Sequence, residues 1–348
     1  MKVERAAFFS RTIAIAAAAI AASLPVAHAQ DLEQARAAFI ARMVENHGFS
    51  REALERLFAG VEVNERILES IARPAERVLE WHDYEDLFVT DERISSGVEF
   101  WATRAGKIRQ ASVHYGVAPE MLVAIIGIET WFGTRTGRYP VLESLSTLAF
   151  AYPPRARFFT NELEAFLLMT REEQLDPQTV LGSYAGAMGA GQFIPTSFRA
   201  YAVDANADGR RDLWGDWEDV LGSVANYFKV HGWRHGEPVA IQVTRRPDFS
   251  GPEPANSMDL NETIGALRDA GYVIAAEYPA ATPVTILGLQ GRDGIEYWAG
   301  FHNFHVITRY NRSVKYALAA KVLADAILSA AQRTSSTEDL SADKDESV

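Results

Sequence analysis

The sequence predicts an α+β fold that is mostly helical with one small β-rich part, on three observations. Apolar residues recur at helical spacing from Asp31 to about Trp101, as in Leu32, Ala35, Phe39, Ile40 and Met43. The stretch Pro119–Gly133 is apolar on nearly every face, through Met121, Leu122, Val123, Ile125, Ile126, Ile128, Trp131 and Phe132. A helix apolar all round is a buried one. After about Gly236 the period changes to two, in Val239, Ile241 and Val243, then Val284 and Ile286, then Ile295 and Tyr297.

Residues 1–29 read as a secretory signal peptide. Lys2, Arg5 and Arg11 make a basic start, Thr12–Ala22 is apolar and alanine-rich, and Ala27-His28-Ala29 before Gln30 is a small-x-small cleavage site. The apolar run is too short for a good membrane span. The chain has no cysteine, so no lipid can be attached to one at the cleavage point. The expectation is a soluble, exported monomer without a membrane anchor. Its 46 acidic against 34 basic residues give a net charge of −12, which argues against nucleic acid or anionic lipid as partner. Without disulfides, stability must come from the core or from a metal. The 7 Trp, 12 Tyr and 18 Phe suit carbohydrate stacking, although core packing is the commoner use of aromatics.

Residues 30–103 read as an N-terminal helical domain. Ser50 caps a helix over Arg51–Phe58, a third pattern runs through Ile67, Ile71 and Val78, and Thr90 or Asp91 caps the helix with Ile94, Val98 and Trp101. Trp81-His82-Asp83-Tyr84 reads as a solvated turn with aromatic anchors, because one His beside one Asp is a weak metal signal.

Residues 104–235 form the centre. Pro119 suits a first helical turn, Glu120 complements the helix dipole and Gly133 suits the stop. Glu129 then lies in the last turn of a buried helix. There a carboxylate loses hydration and its acid form is favoured, as a general acid near neutral pH requires. The other reading is a carboxylate paired with an arginine such as Arg135, and this stretch alone favours it. A polar loop, Arg135–Pro140, precedes helices over Leu145–Tyr152 and Phe158–Glu172. Gly182–Pro195 is almost all small residues, which let backbone approach a ligand or another backbone closely. It lacks a phosphate loop's Gly-Lys-Ser/Thr ending. A tight helix crossing would explain the small residues but not the placement of Ser183 and Gln192.

Asp204, Asn206 and Asp208, then Gly209, the carbonyl of Arg210 and Asp212, match the first half of an EF-hand loop. Position twelve is Gly215 instead of Glu, and Asp216, Glu218 and Asp219 lie just beyond. Three alternating oxygen ligands before a glycine favour a structural Ca²⁺ over an Asx-rich turn. A helix over Gly222–Val230 carries Tyr227. Residues 236–304 read as a small β-rich domain with one helix at Thr263–Ala270, and 305–333 as a C-terminal segment ending in an amphipathic helix with Tyr316, Leu318, Val322, Leu323 and Ile327. Residues 334–348 read as a disordered acidic tail.

Four motifs in order form a specific pattern: Ile128–Gly133, Gly182–Phe193, Val224–Phe228 and Ile307–Asn311. With them the chain resembles the lytic murein transglycosylase B family, glycoside hydrolase family 103, over nearly the whole mature chain. The resemblance implies a lysozyme-like core flanked by a helical domain and a small β domain, in the periplasm, with peptidoglycan glycan strands as partner. It implies Glu129 as the single catalytic acid/base. Ser183, Gln192 and Tyr227 become cleft residues, Tyr310 and Asn311 a pair at the cleft edge, and Asp204, Asn206, Asp208, Arg210 and Asp219 calcium ligands. Gly215 departs from the family pattern by lengthening the loop before Asp219. The implied reaction cuts the MurNAc-β-1,4-GlcNAc bond without water and leaves 1,6-anhydromuramoyl ends. An ordinary glycosidase needs two carboxylates, and the four motifs carry one. A hydrolytic muramidase on the same scaffold and a silent peptidoglycan-binding scaffold are the alternatives.

Overall fold

The computed structural model describes residues 31–72 and 79–345, with side chains to residue 334. The signal peptide, its cleavage site and Val78 lie outside the described residues. The first helices are α1 (31–47), α2 (Arg51–Phe58), α3 (Glu65–Ile71), α4 (Trp81–Phe88) and α5 (Asp91–Tyr115). Local chemistry sets their starts. The side-chain oxygens of Ser50, Asn64 and Thr90 accept hydrogen bonds from the N–H groups of Ala53, Arg66 and Arg93, which satisfies donors the helix cannot. α5 breaks helical geometry at Arg104 and ends at Gly116 in the left-handed region, φ 75°.

The solvated turn predicted over Trp81–Tyr84 is corrected. These residues open α4, and Trp81 and Tyr84 are 0% and 1% exposed. Their spacing of three puts both rings on one helix face. The indole N–H of Trp81 also donates to Glu296 in the β-rich part, at 3.2 Å.

The buried helix is α6 (Pro119–Thr130), with Pro119 in its first turn. It ends before the predicted stop at Gly133. Trp131 (φ 51°), Phe132 (φ 58°) and Gly133 (φ 85°) are all left-handed. The N–H groups of Trp131 and Phe132 reach back to the carbonyls of Gly127 and Ile126, both at 3.2 Å, so the orphan carbonyls are satisfied.

The centre continues through β1 (Tyr139–Pro140), α7 (Val141–Ala151), α8 (Ala156–Glu172), β2 (Leu181–Gly182), α9 (Pro195–Tyr201) and α10 (Trp217–Val230), with β1 and β2 antiparallel. Buried Glu162 of α8 accepts from the N–H and hydroxyl of Thr196 at the start of α9. Burial pushes its carboxyl up, and these bonds pull it back.

The β-rich part contains β3 (Ala240–Arg245), β4 (Glu262–Thr263), α11 (Ile264–Asp269), β5 (Tyr272–Val273), β6 (Pro283–Gln290) and β7 (Ile295–Gly300). They form an antiparallel sheet in the order β4-β6-β7-β3-β5. It has its own small core of Val243, Ile264, Leu267, Tyr272, Val284, Ala299 and Phe301. The main core runs from Phe39 of α1 to Ile327 of the last helix.

The chain then returns through α12 (His302–Tyr310) and α13 (Val314–Asp345). α13 packs on α4, α5, α6 and α12. It closes on α5 where a Cβ added at Gly97 would lie 2.5 Å from Ile327. Of the tail predicted to be disordered from 334, residues 334–345 continue α13, and 346–348 lie outside the described residues. No Gly or Pro interrupts 334–345, so nothing in the backbone chemistry stops the helix there.

Removing the Trp81 ring takes out a core aromatic and one hydrogen bond. Trp81→Ala is expected to cost about 3–5 kcal/mol, read as a lower urea midpoint at unchanged slope.

Candidate active site

Glu129 is the second-last residue of α6, half-buried between buried Ile128 and Thr130. The hydroxyl of Tyr316, from α13, donates to its Oε1 at 2.5 Å. Tyr316 is 2% exposed. Burial first, then the negative Glu129, pushes its phenol well above the usual range. The phenol therefore stays protonated and remains a donor. Tyr310 is pushed the same way by burial, then Glu129, then Tyr227, so Glu129 faces a wall of neutral phenols. Tyr84 of α4 also lies within electrostatic reach of Tyr316.

Arg135, the sequence's candidate ion-pair partner, lies over the Trp131 ring at 4.3 Å, and Arg93 lies over the same ring at 4.3 Å. Burial and then Arg135 lower Arg93 to about 10. Two guanidinium groups therefore hold the left-handed Trp131 in place.

The end of α6 is anchored to the small-residue stretch. The Thr130 hydroxyl donates to the Ala190 carbonyl at 2.8 Å and accepts from the Gly133 N–H at 3.0 Å. That stretch folds on itself through bridges Gly182 to Met188 and Met188 to Phe193. Two of its glycines answer to backbone crowding. A Cβ at Gly182 would lie 2.3 Å from the Ala187 carbonyl oxygen, and one at Gly189 2.4 Å from that of Leu213. Close packing against backbone and side chains thus accounts for the glycines.

Ser183 Oγ accepts from the N–H groups of Ala185 (3.2 Å) and Ala187 (3.0 Å), which leaves its own hydrogen to donate. Gln192, in the left-handed region at φ 50°, donates its amide hydrogens to the carbonyls of Thr136 (3.1 Å) and Gly189 (3.0 Å). What it offers outward is its carbonyl oxygen.

Tyr227, buried on α10, donates to the Arg309 carbonyl at 2.5 Å and stacks on His231 at 4.1 Å. Burial pushes it to about 12. Tyr310 donates to the Gly191 carbonyl at 2.5 Å and packs 4.8 Å from the Tyr227 ring. Half-buried Asn311 follows α12 directly, and its carbonyl accepts from the Ser313 N–H at 2.8 Å. The structure therefore joins Glu129, Tyr310 and Tyr227 through the Thr130–Gly191 region. Sequence reasoning missed Tyr316 and Tyr84. The available signal was a phenol on the alanine-rich, apolar face of the last helix.

The 204–219 loop is an array of Asx turns. Asp204 accepts from the N–H groups of Asp208 (3.0 Å) and Gly209 (2.8 Å), Asn206 from Asp208 (2.9 Å) and Asp208 from Arg210 (2.9 Å). Asp216 caps α10, and Glu218 pairs with Lys107 at 2.8 Å. Asp219, 0% exposed, closes the loop by accepting from the N–H groups of Ala205 (2.7 Å) and Asp212 (2.8 Å). Burial raises its pKa, those bonds lower it, and Asp216 and Asp204 raise it further. Among the described residues no three acidic or histidine side chains form a ready-made metal cluster. The donor set is all oxygen, and its carboxylates repel one another. Both properties fit a hard cation, with Asn206 and the Arg210 carbonyl completing the set.

Residues 31–325 match the transglycosylase SLT domain family. The chain is 39% identical over 298 residues to membrane-bound lytic murein transglycosylase B of Escherichia coli, covering 83% of this chain and 81% of that one. The fold is similar to soluble lytic transglycosylase SltB1 of Pseudomonas aeruginosa, with a TM-score of 0.79 and 46% identity over 85% of this chain and 98% of that one. It is also similar to E. coli lytic transglycosylase Slt35 in complex with calcium, with a TM-score of 0.78 and 38% identity over 85% of this chain and 93% of that one. P. aeruginosa SltB3 in complex with NAG-NAM-pentapeptide gives 0.74 and 31%, over 86% of this chain and 80% of that one. With its family match spanning nearly all the described residues, the chain belongs to the lytic murein transglycosylase B family.

Proposed function

We propose that this protein is a peptidoglycan lytic transglycosylase in which Glu129 is both acid and base. One observation carries the reading: a half-buried carboxylate at the end of a buried helix, held by the Tyr316 phenol. Protonated Glu129 donates to the leaving glycosidic oxygen as the C1–O bond breaks. The substrate's acetamido group stabilises the cation at C1, in place of a second carboxylate. Glu129 then takes the proton of the C6 hydroxyl as that oxygen bonds to C1, which closes the 1,6-anhydro ring. No water is consumed. Ser183 offers a hydroxyl hydrogen and Gln192 a carbonyl oxygen to orient the acetamido group. Tyr227, Tyr310 and Asn311 shape the cleft edge. In this reading the cleft is built on 104–235 and completed by 305–333, with the N-terminal helical domain beside it.

In this reading Asp204, Asn206, Asp208, the Arg210 carbonyl and Asp219 hold a structural Ca²⁺, whose chemistry there is to neutralise clustered carboxylates. The location is the periplasm, reached through the signal peptide. Among the described residues no single helix is long and apolar enough to cross a membrane.

Glu129→Gln is expected to abolish clearance of purified sacculi, and wild type to release anhydro muropeptides. Mass spectrometry decides between lysis and hydrolysis, since hydrolytic products carry one extra water. Tyr316→Phe removes a hydrogen bond to a charged group and is expected to lower kcat about tenfold or more with little change in KM. A purely structural role would instead appear as a lower melting temperature at unchanged kcat. Chelation is expected to lower the melting temperature, and Asp219→Asn to blunt its recovery on adding Ca²⁺. An unchanged melting temperature with no ion in elemental analysis would remove calcium from the reading.

A further inference from the structure

We propose that a second groove, on the far side of the cleft wall, is a distal subsite for the glycan strand with Trp214 as its stacking platform; the proposal rests on the catalytic reading above. The groove encloses about 480 Å³ and is lined by Thr136, Gly137, Leu175, Leu181, Arg210 and Trp214, among others. That volume lies within the ~300–1,000 Å³ usual for small-ligand sites.

The groove is built from parts already fixed by the cleft. The Thr136 carbonyl accepts the Gln192 amide at 3.1 Å. Gly137 presses against the Gly182 carbonyl and the Ser183 N–H, as the 2.1 Å and 2.6 Å approaches of an added Cβ show. Leu181 lies two residues before Ser183. The groove and the candidate cleft residues Ser183 and Gln192 therefore share one backbone wall, and in the proposal the strand leaves those residues across it.

The surface chemistry is that of a sugar site. Leu175 and Leu181 keep 36% and 46% of their surface exposed and lie together in the lining of this one groove. Half-exposed Trp214 is held from below by Phe198, ring centroids 6.2 Å apart, and its backbone N–H is held by Asp212 at 2.8 Å. The indole is thus fixed in place before a ligand arrives, which lowers the entropy cost of binding. The charged lining residues balance in sign, Glu173 and Asp212 against Arg210 and Arg211. Arg211 binds Glu173 through its Nε at 2.8 Å and reaches Glu172 at 3.7 Å. A groove that is apolar at the platform and neutralised at the rim suits an uncharged hexosamine ring, with an apolar face and hydroxyl edges. It does not select the charged peptide stem.

The test measures binding without turnover, in the Glu129→Gln protein, by calorimetry with peptide-free glycan oligomers of increasing length. Trp214→Ala is expected to lower the ratio of long-chain to short-chain affinity about tenfold, the effect of losing one anchoring aromatic, and Trp214→Phe to restore most of it. Leu181→Ser, at an exposed position, is expected to move the ratio the same way without disturbing the core around Phe198. A length dependence unchanged in both Trp214→Ala and Leu181→Ser overturns the proposal. A loss seen only with stem-bearing glycans assigns the groove to the peptide and overturns it as well. Absence of anhydro products from wild type would overturn the catalytic reading instead, and the binding ratio does not depend on that result.

Discussion

The burial of α6 is the constraint on which the rest of the structure depends. Ten of its twelve residues carry no charge, and nine are buried, and α5 and α13 pack against it. Each fully buried Leu, Ile, Val or Met contributes about 1.5–3 kcal/mol. The left-handed backbone of Trp131 and Phe132 costs about 1–3 kcal/mol each. The apolar contacts of Met121, Leu122, Val123, Ile125 and Ile126 therefore outweigh the strain at the end of the helix. The strained end is what turns the chain away directly after Glu129. Without the turn at Trp131, the helix would continue past Glu129 and the adjoining Thr130–Ala190 anchor would be lost.

The polar groups around Glu129 follow from the same burial. A phenol is the side chain that brings a hydrogen-bond donor through an apolar wall without bringing a charge, and Tyr316 does this from α13. A lysine at that position would have to be desolvated, and its ammonium would pair with Glu129 and keep it ionised. Tyr310 and Tyr227 direct their hydroxyls to the backbone carbonyls of Gly191 and Arg309. Tyr310 ties α12 to the small-residue stretch, and Tyr227 ties α10 to α12. The stretch in turn is held by Thr130.

Much of the fold was legible where a local rule governs. The Ser50 and Thr90 caps, Pro119 in the first turn of α6, the switch to period two near Val239 and the oxygen spacing of 204–208 are each set by residues a few positions apart. The rest depends on contacts that no local pattern carries. Glu129 and Tyr316 meet across 187 residues. Trp81 finds Glu296 across 215, so the short Trp81–Tyr84 segment reads as a turn until its partners are known. Trp131 rather than Gly133 takes the first left-handed position because Arg93, from α5, and Arg135 hold its ring, and the sequence pattern around Gly133 shows only the second of these. Among the candidate site residues, the apolar setting of Glu129 marked a costly place for a charge but by itself favoured an arginine pair, and Ser183 and Gln192 stood out only as polar exceptions in a run of small residues. The roles of Tyr227 and Tyr310 were carried by resemblance alone.

The 204–219 loop is held by short-range turns. Asp212 accepts from the N–H groups of Trp214 (2.8 Å) and Gly215 (2.9 Å), so Gly215 sits in a local turn. Asp216 is then free to cap α10, and the helix begins in a register that carries Asp219 back to face Ala205 and Asp212. The same turn fixes Leu213, whose carbonyl accepts from the Ala190 N–H at 2.8 Å. Ala190 in turn receives the Thr130 hydroxyl, one residue from Glu129. The connection from the loop to the end of α6 thus runs through short hydrogen bonds between backbone and anchored side chains. A cation that neutralises Asp204, Asp208 and Asp219 would tighten the loop end of this path, and its effect on Glu129 along it would be one of positioning.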